Sequence, residues 1–286
     1  VHPSTVTGTV SRYWTDKYGL PGSCRVVCCS GDNPCSIVGM QLQAGEVAVS
    51  LGTSDVLIGI TSHPAPSLHA SIMPHPTLEG GYFVMLVFKN GAVARTALRD
   101  THCNGSWQEF DNLLENSEPG NGGKLVMHVL LDEITPKITA KGAHREDESG
   151  AVRSSPFSSA EEVGGAVEAR AMAMRLHAAR SGIAAPTRVR ITGGTAHSTQ
   201  VCKVFSSVFG CDVAVSSLAV SDAAALGAAL RAQHATSAPD NTQPAGDGEG
   251  SGALTVVASA EPGAGARYSA LLPRLANLEA RVAAMP

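Results

Sequence analysis

Three short glycine-centred segments stand where apolar, strand-like runs stop: Ser30-Gly31-Asp32-Asn33, Ser50-Leu51-Gly52-Thr53-Ser54 and Ile191-Thr192-Gly193-Gly194-Thr195. Turns of this kind suit a phosphate site, because glycine has no Cβ, lets backbone N–H groups approach an anion closely and accepts the φ values of a tight turn. Gly52 and Thr53 would present a backbone N–H and a hydroxyl to phosphate oxygens. A Gly-Thr hairpin with no ligand is the plainer alternative. Gly193 and Gly194 lead into a helical pattern, where amides at a helix N-terminus can face anionic oxygens, although an ordinary strand-to-helix turn uses the same residues. Asp32, a lone carboxylate beside the first turn, is a candidate proton acceptor. It could equally form an Asx turn or cap the following helix. Gly120 to Lys124 lacks the G-x-x-x-x-G-K-[ST] pattern and is not a Walker A loop.

These segments need a scaffold, and the hydrophobic pattern supplies one. Residues 24 to 30 form an apolar run of strand length, and the stretch after Pro34 starts a helix with proline in its first turn. Glu46 to Ser50, Asp55 to Thr61 and Tyr82 to Phe88 are β-branched or aromatic-rich and suggest an antiparallel meander turning first at Leu51 to Ser54. The loop 62 to 80 carries four prolines and reads as irregular; Asn90 to Asp100 and Ser106 to Asn116 read as helices. Leu125 to Leu131 is one apolar run among glycines and prolines. Ser159 followed by Glu162 has the spacing of a capping box, opening a helix to about Arg180. Thr187 to Thr192 is strand-like, Val201, Val204, Phe205 and Val208 mark an amphipathic helix, Asp212 to Ser216 is a strand, and Ser221 to Gln233 is an alanine-rich helix. A closing helix, about Tyr268 to Ala283, would dock by Leu271, Leu275, Leu278 and Val282. The alternation argues an α/β domain with a mixed sheet.

With 286 residues and 43% of them hydrophobic, the chain has material for a substantial core. Lys and Arg number 21 against 25 Asp and Glu, for a net charge of -4 and no dense basic stripe, which argues against nucleic acid and anionic membrane as partners. No apolar run has the length of a spanning helix and no signal-peptide pattern opens the chain, so a cytoplasmic protein is expected. The seven cysteines, Cys24, Cys28, Cys29, Cys35, Cys103, Cys202 and Cys211, form no C-x-x-C pair. Their reading is reduced core residues rather than a disulfide framework or a zinc site, and no protein-ligated metal is assigned. Residues 5 to 20 read like a helix that joins something earlier.

The element order, with glycine turns at the first hairpin and at a late strand-to-helix junction, resembles the actin-like ATPase domain, also called ribonuclease-H-like. Here GDNPCS, AVSLGTSDVL, VFKNGAVAR, GNGG, RITGGTAHS and SDAAALGAALRA occur in the order and spacing of the FGGY family of carbohydrate kinases, from about Thr7 to Gln233 and again in the tail helix. The resemblance implies an α/β mixed sheet flanked by helices and a four-part layout: residues 1–23 as a linker helix from an N-terminal domain outside this sequence, 24–234 as the C-terminal kinase domain, 235–252 as a flexible insertion too polar to order itself, and 253–286 with the docking helix. It implies phosphoryl transfer from ATP to D-xylulose or a related sugar, with Mg2+ held mainly through the phosphates and the N-terminal domain. This piece alone would then carry half a site and be inactive. By the same resemblance Asp32 is the catalytic base and Asn33 touches the sugar. Gly52 and Thr53 meet the β/γ-phosphates. Gly193, Gly194, Thr195 and Ser198 serve the adenosine part, Ser198 standing where many similar kinases carry Asn. Trp107 lies near the adenine, or else in the core. Ribulose or glycerol as the acceptor, or a non-catalytic nucleotide switch of the same fold, are the alternatives.

Overall fold

The computed structural model describes residues 2–28, 30–216, 220–237 and 254–285. In chain order it runs through β1 (Val6–Thr9), α1 (Arg12–Tyr18), β2 (Arg25–Val27), α2 (Asp32–Met40), β3 (Glu46–Leu51), β4 (Asp55–Thr61), β5 (Ser71–Pro74), β6 (Tyr82–Phe88), α3 (Ala92–His102) and α4 (Trp107–Glu115). There follow β7 (Leu125–Val129), β8 (Gly142–Glu146), β9 (Val152–Arg153), α5 (Ser159–Arg180), β10 (Arg188–Thr192), α6 (Thr199–Phe209), β11 (Asp212–Ser216), α7 (Val220–Thr236), β12 (Leu254–Ala258) and α8 (Ala264–Ala283). The described residues within Val1–Leu42, His75–Glu79 and Ser217–Ala253 form one compact unit; those within Gln43–Pro74, Gly80–Ser216 and Leu254–Pro286 form the other. Among the described residues, no helix is long and apolar enough to cross a membrane.

In the first unit, β1 and β2 pair antiparallel as a two-stranded ribbon, with Thr9 opposite Arg25. Residues 5 to 20 are therefore a strand and a short helix, not one helix. Val6, Thr7 and Thr9 are β-branched and favour the ribbon, and the helix begins only after Ser11. Here α2 packs on α7 at a distance that only glycine permits. A Cβ built on Gly39 would lie 1.8 Å from the carbonyl oxygen of Ala223, and one on Gly227 would lie 1.7 Å from that of Cys35. Small residues at these crossing points let two backbones touch. The helix α7 runs on to Thr236, into the stretch read as an insertion. From residue 238 on, that stretch lies outside the described residues.

In the second unit, seven strands form one mixed sheet in the order β12-β11-β10-β3-β4-β6-β5. β10 lies parallel to both β3 and β11, whereas β3-β4-β6 is the antiparallel meander expected from the sequence. Val47, Val49, Leu57, Leu86, Val189 and Val213 are fully buried and share one hydrophobic core with α3 to α6 and α8. Two strands of this sheet escaped the sequence reading, as did β8 and β9 of the smaller sheet in the same unit. β5 hides in the proline-rich loop, where Pro74 is tolerated because the strand is at an edge. β12 is the opposite, antiparallel edge on β11. The run after Leu125 becomes β7, paired with β8 in a separate three-stranded sheet.

Helix α5 is capped one residue earlier than expected. The Ser158 hydroxyl accepts from Glu161 N, and the Glu161 carboxylate accepts from Ser158 N at 2.9 Å. With Glu161 taking the capping role, Glu162 is free to turn inward, where it is fully buried and receives Arg145 Nη2 at 2.9 Å. Tandem serines and tandem glutamates made the two registers indistinguishable in sequence. Among the described residues, six cysteines stand outside any disulfide, with Cys35, Cys103 and Cys202 buried; Cys29 lies outside the described residues. Burial pushes the thiols of Cys202 and Cys211 up to about 11.

Glu168 on α5 is buried and accepts from Tyr268 Oη at 2.5 Å and from Gly120 N at 2.8 Å. Burial outweighs these donors and pushes its carboxyl from 4.5 up to about 7. Below the ordinary value both folded and unfolded chains hold the proton. Between that value and about 7 only the folded chain does, so stability falls as pH rises through this window and the loss is complete above it. The full loss is on the order of 3 kcal/mol. Glu168→Gln keeps an acceptor for both donors and should remove the decline. Urea midpoints at about pH 5 and about pH 8 should show the variant gaining on the wild type at the higher pH. An equal gap at both would mean that Glu168 does not titrate between them.

Candidate functional site

The second and third glycine turns stand side by side, because β3 and β10 are parallel neighbours with Ser50 opposite Thr192 and both turns leave the same end of the sheet. Gly193 has φ +91, and a Cβ there would lie 2.6 Å from the carbonyl oxygen of Leu51. The close approach of the two turns therefore needs glycine at 193. At Gly194 an added Cβ meets nothing within 4 Å, so that position is open. Leu51 and Asp55 close the hairpin around Gly52, Thr53 and Ser54. Thr53 is exposed at the tip.

Both Gly52 and Thr53 give their carbonyls to the start of α3: Ala92 N donates to Gly52 O at 2.9 Å and to Thr53 O at 3.2 Å. Among the described residues, the amides of Gly52, Thr53 and Ser54 donate to no one. Three successive unpaired N–H groups on an exposed turn form a concavity suited to an anion.

The third turn differs from the expected direct step into a helix. Gly194–His197 is one turn of 3-10 helix, and α6 starts only at Thr199, with Ser198 as its cap. The Ser198 hydroxyl accepts from Val201 N at 3.1 Å and donates to Asp111 Oδ1 at 2.6 Å. Asp111 lies one helical turn beyond Trp107 on α4, so Ser198 ties the third turn to the helix that carries the tryptophan. Thr195 is half-buried beside it.

Trp107 is 47% exposed, which removes the core alternative raised by its place on an amphipathic helix. Its ring is held in place by Phe110 edge-on, with centroids 5.4 Å apart, and by the Arg99 guanidinium 4.8 Å over its centroid. A flat, exposed indole with a cation on its face is a platform on which a heteroaromatic base can stack. Arg99 and Asp111 were missed from sequence. The signal was available in the i, i+4 step from Trp107 to Asp111, but nothing in one sequence says that this face stays uncovered.

The remaining two residues belong to the other compact unit. Asp32 opens α2 behind Gly31, and among the described residues its exposed carboxylate accepts only from the adjacent Asn33 N, at 2.8 Å. This local bond is the Asx-type contact that the sequence allowed as an alternative. Among the described residues, the second carboxylate oxygen has no hydrogen-bond partner. Asn33 is half-buried, and Pro34 follows in the first helical turn. Among the described residues, no group of histidine, cysteine and carboxylate side chains is placed to hold a metal by itself.

Residues 47–236 match the model of the FGGY family of carbohydrate kinases, C-terminal domain. The xylulose kinase of Rattus norvegicus is 37% identical over 280 residues, covering 97% of this chain and 51% of that protein. Xylulose kinase 2 of Arabidopsis thaliana is 38% identical over 239 residues, covering 79% of this chain and 42% of its own length. The chain thus spans about half the length of the curated relatives it matches. Among solved structures, a ligand-bound xylulose kinase from Lactobacillus acidophilus superposes with TM-score 0.80 at 17% identity, covering 99% of this chain and 57% of that one. Plasmodium falciparum glycerol kinase with ADP does so with TM-score 0.71 at 13% identity, covering 100% and 56%. At such identities these structures speak for the fold, which is the α/β, ribonuclease-H-like arrangement with a mixed sheet flanked by helices.

Proposed function

Because this chain belongs to the FGGY family of carbohydrate kinases, we propose that it is the C-terminal half of an ATP-dependent kinase that converts D-xylulose to D-xylulose 5-phosphate. The observation that carries the nucleotide part is the row of unpaired amides at Gly52, Thr53 and Ser54 beside the Gly193 turn. These amides and the Thr53 hydroxyl suit the β/γ-phosphates of ATP. Gly194, Thr195 and Ser198 suit the adenosine, with Trp107 as the surface on which the base stacks. Mg2+ would travel on the phosphates of ATP and neutralise their charge, with further ligands from an N-terminal domain.

Asp32 would accept the proton of the attacking hydroxyl as its oxygen bonds to the γ-phosphorus and the bond to the ADP oxygen breaks. Asn33 would hold the sugar beside it. The second oxygen of Asp32, at the start of a helix on an exposed edge, fits an acceptor that must meet a substrate rather than a buried ion pair. Likeness to xylulose kinases at 36% to 38% identity supports xylulose over glycerol or ribulose.

The test is a coupled assay of the full-length protein with ATP and D-xylulose, D-ribulose, glycerol or D-gluconate. D-Xylulose should give the highest kcat/KM. Preference for another acceptor would leave the kinase reading standing with the wrong sugar, and ATP hydrolysis without a phosphorylated sugar would point to a nucleotide switch. Trp107→Ala should weaken ADP binding about tenfold, the order of one lost base–aromatic stack. Unchanged ADP affinity in titration calorimetry would remove Trp107 from the site.

A further inference from the structure

We propose that Arg95 is a positioning residue for the phosphate turn, holding the Gly52 carbonyl at its start and Asp55 just past its end so that the amides between stay presented to the nucleotide. The proposal rests on the reading of that turn as a phosphate holder. Arg95 projects from α3 and is 7% exposed. Its guanidinium grips Asp55 with both prongs, Nη1 to Oδ2 at 2.8 Å and Nη2 to Oδ1 at 2.9 Å, and the same Nη2 donates to Gly52 O at 3.2 Å. Gly52 is the first residue of the turn and Asp55 the first after it. One planar group therefore spans the loop and fixes both of its ends.

Stability alone does not account for the arrangement, because desolvating two charges cancels much of what their attraction gains. A bidentate fork adds geometry. The surroundings point the same way. A Cβ on Gly91 would lie 2.7 Å from Asp55 Oδ1, so the start of α3 comes this near only as glycine. Arg170 Nε lies 3.9 Å from Asp55 Oδ2, while its Nη2 donates to Glu133 Oε2 at 3.0 Å and to Asn90 O at 3.1 Å. Asn90 Nδ2 in turn donates to Glu133 Oε2 at 3.0 Å. The carboxylate that anchors Arg95 is thus held by a second layer of charged and amide groups, and none of these residues except Gly52 is expected to touch a nucleotide.

Two variants of the full-length protein separate positioning from folding. Arg95→Lys keeps the charge and loses the fork with the Gly52 bond. Arg95→Met combined with Asp55→Asn removes both charges together, so that no carboxylate is left buried without its partner. Both should keep the wild-type circular dichroism spectrum and the wild-type affinity for adenosine. Affinity for ADP should fall about 10- to 100-fold, the usual effect of removing a group that orients binding groups, and the KM for ATP should rise with it. Equal losses for adenosine and ADP, unfolding of both variants, or wild-type ADP affinity in the double variant would overturn the proposal. A wild-type protein that binds ADP no more tightly than adenosine would instead overturn the phosphate reading, and the proposal with it.

Discussion

Asp32→Asn in the full-length protein is expected to lower kcat by about 10² to 10⁴, the usual effect of losing a general base, while the affinity for ADP stays within about twofold of wild type. The amide keeps an acceptor for Asn33 N, so the first turn of α2 retains its local bond. It cannot take a proton from a hydroxyl at neutral pH. Asp32 is exposed and makes no ion pair among the described residues, and α2 is anchored further along by Cys35, Ile37 and Gly39, so the fold should not register the change. Steady-state kinetics with D-xylulose, next to calorimetry with ADP, would check both halves of this statement. Turnover near the wild-type level would strip Asp32 of its role and return it to the plain Asx contact.

Gly227→Val should act on the fold and only through it on turnover. The first added carbon would sit 1.7 Å from the Cys35 carbonyl oxygen and 2.7 Å from Gly39 N, both backbone atoms that cannot rotate away. The two helices must part by more than an ångström, giving up contact along their whole crossing, at a cost of about 3 kcal/mol or more. Since α2 carries Asp32 and Asn33 at its first turn, activity should drop together with the melting temperature. An unchanged thermal midpoint, measured by differential scanning calorimetry, would contradict the glycine-to-glycine crossing.

Much of this architecture is legible in the residues. The meander, β10, α6, β11 and the glycine turns are all places where local pattern and tertiary need agree, and the sequence reading located them to within a few residues. Where it failed, the local signal was weaker than a distant one. β12 reads as a tail until β11 is known to need a partner on that side. β5 is masked by its prolines, which an edge strand accepts. The site shows the same division. Glycine turns and an exposed aspartate announce themselves by type. Arg95, however, is one arginine among many until Asp55 and Gly52 are seen on either side of its fork. Ser198 looks like a contact residue, and its bonds to Asp111 and Val201 N give it a definite structural task as well.

The order in which β11 and β12 are made has a consequence for how the protein is born. The chain leaves the sheet at Ser216 and returns to it only at Leu254, so on the ribosome β11 emerges as an open edge long before its outer neighbour exists. Until α8 arrives, Glu168 also lacks the Tyr268 hydroxyl, and the face of α5 meant for Leu275, Leu278 and Val282 has no cover. Closure of the sheet must therefore wait for translation of β12, and cover for α5 for that of α8, and the nascent chain meanwhile offers chaperones both an unpaired strand and an apolar flank.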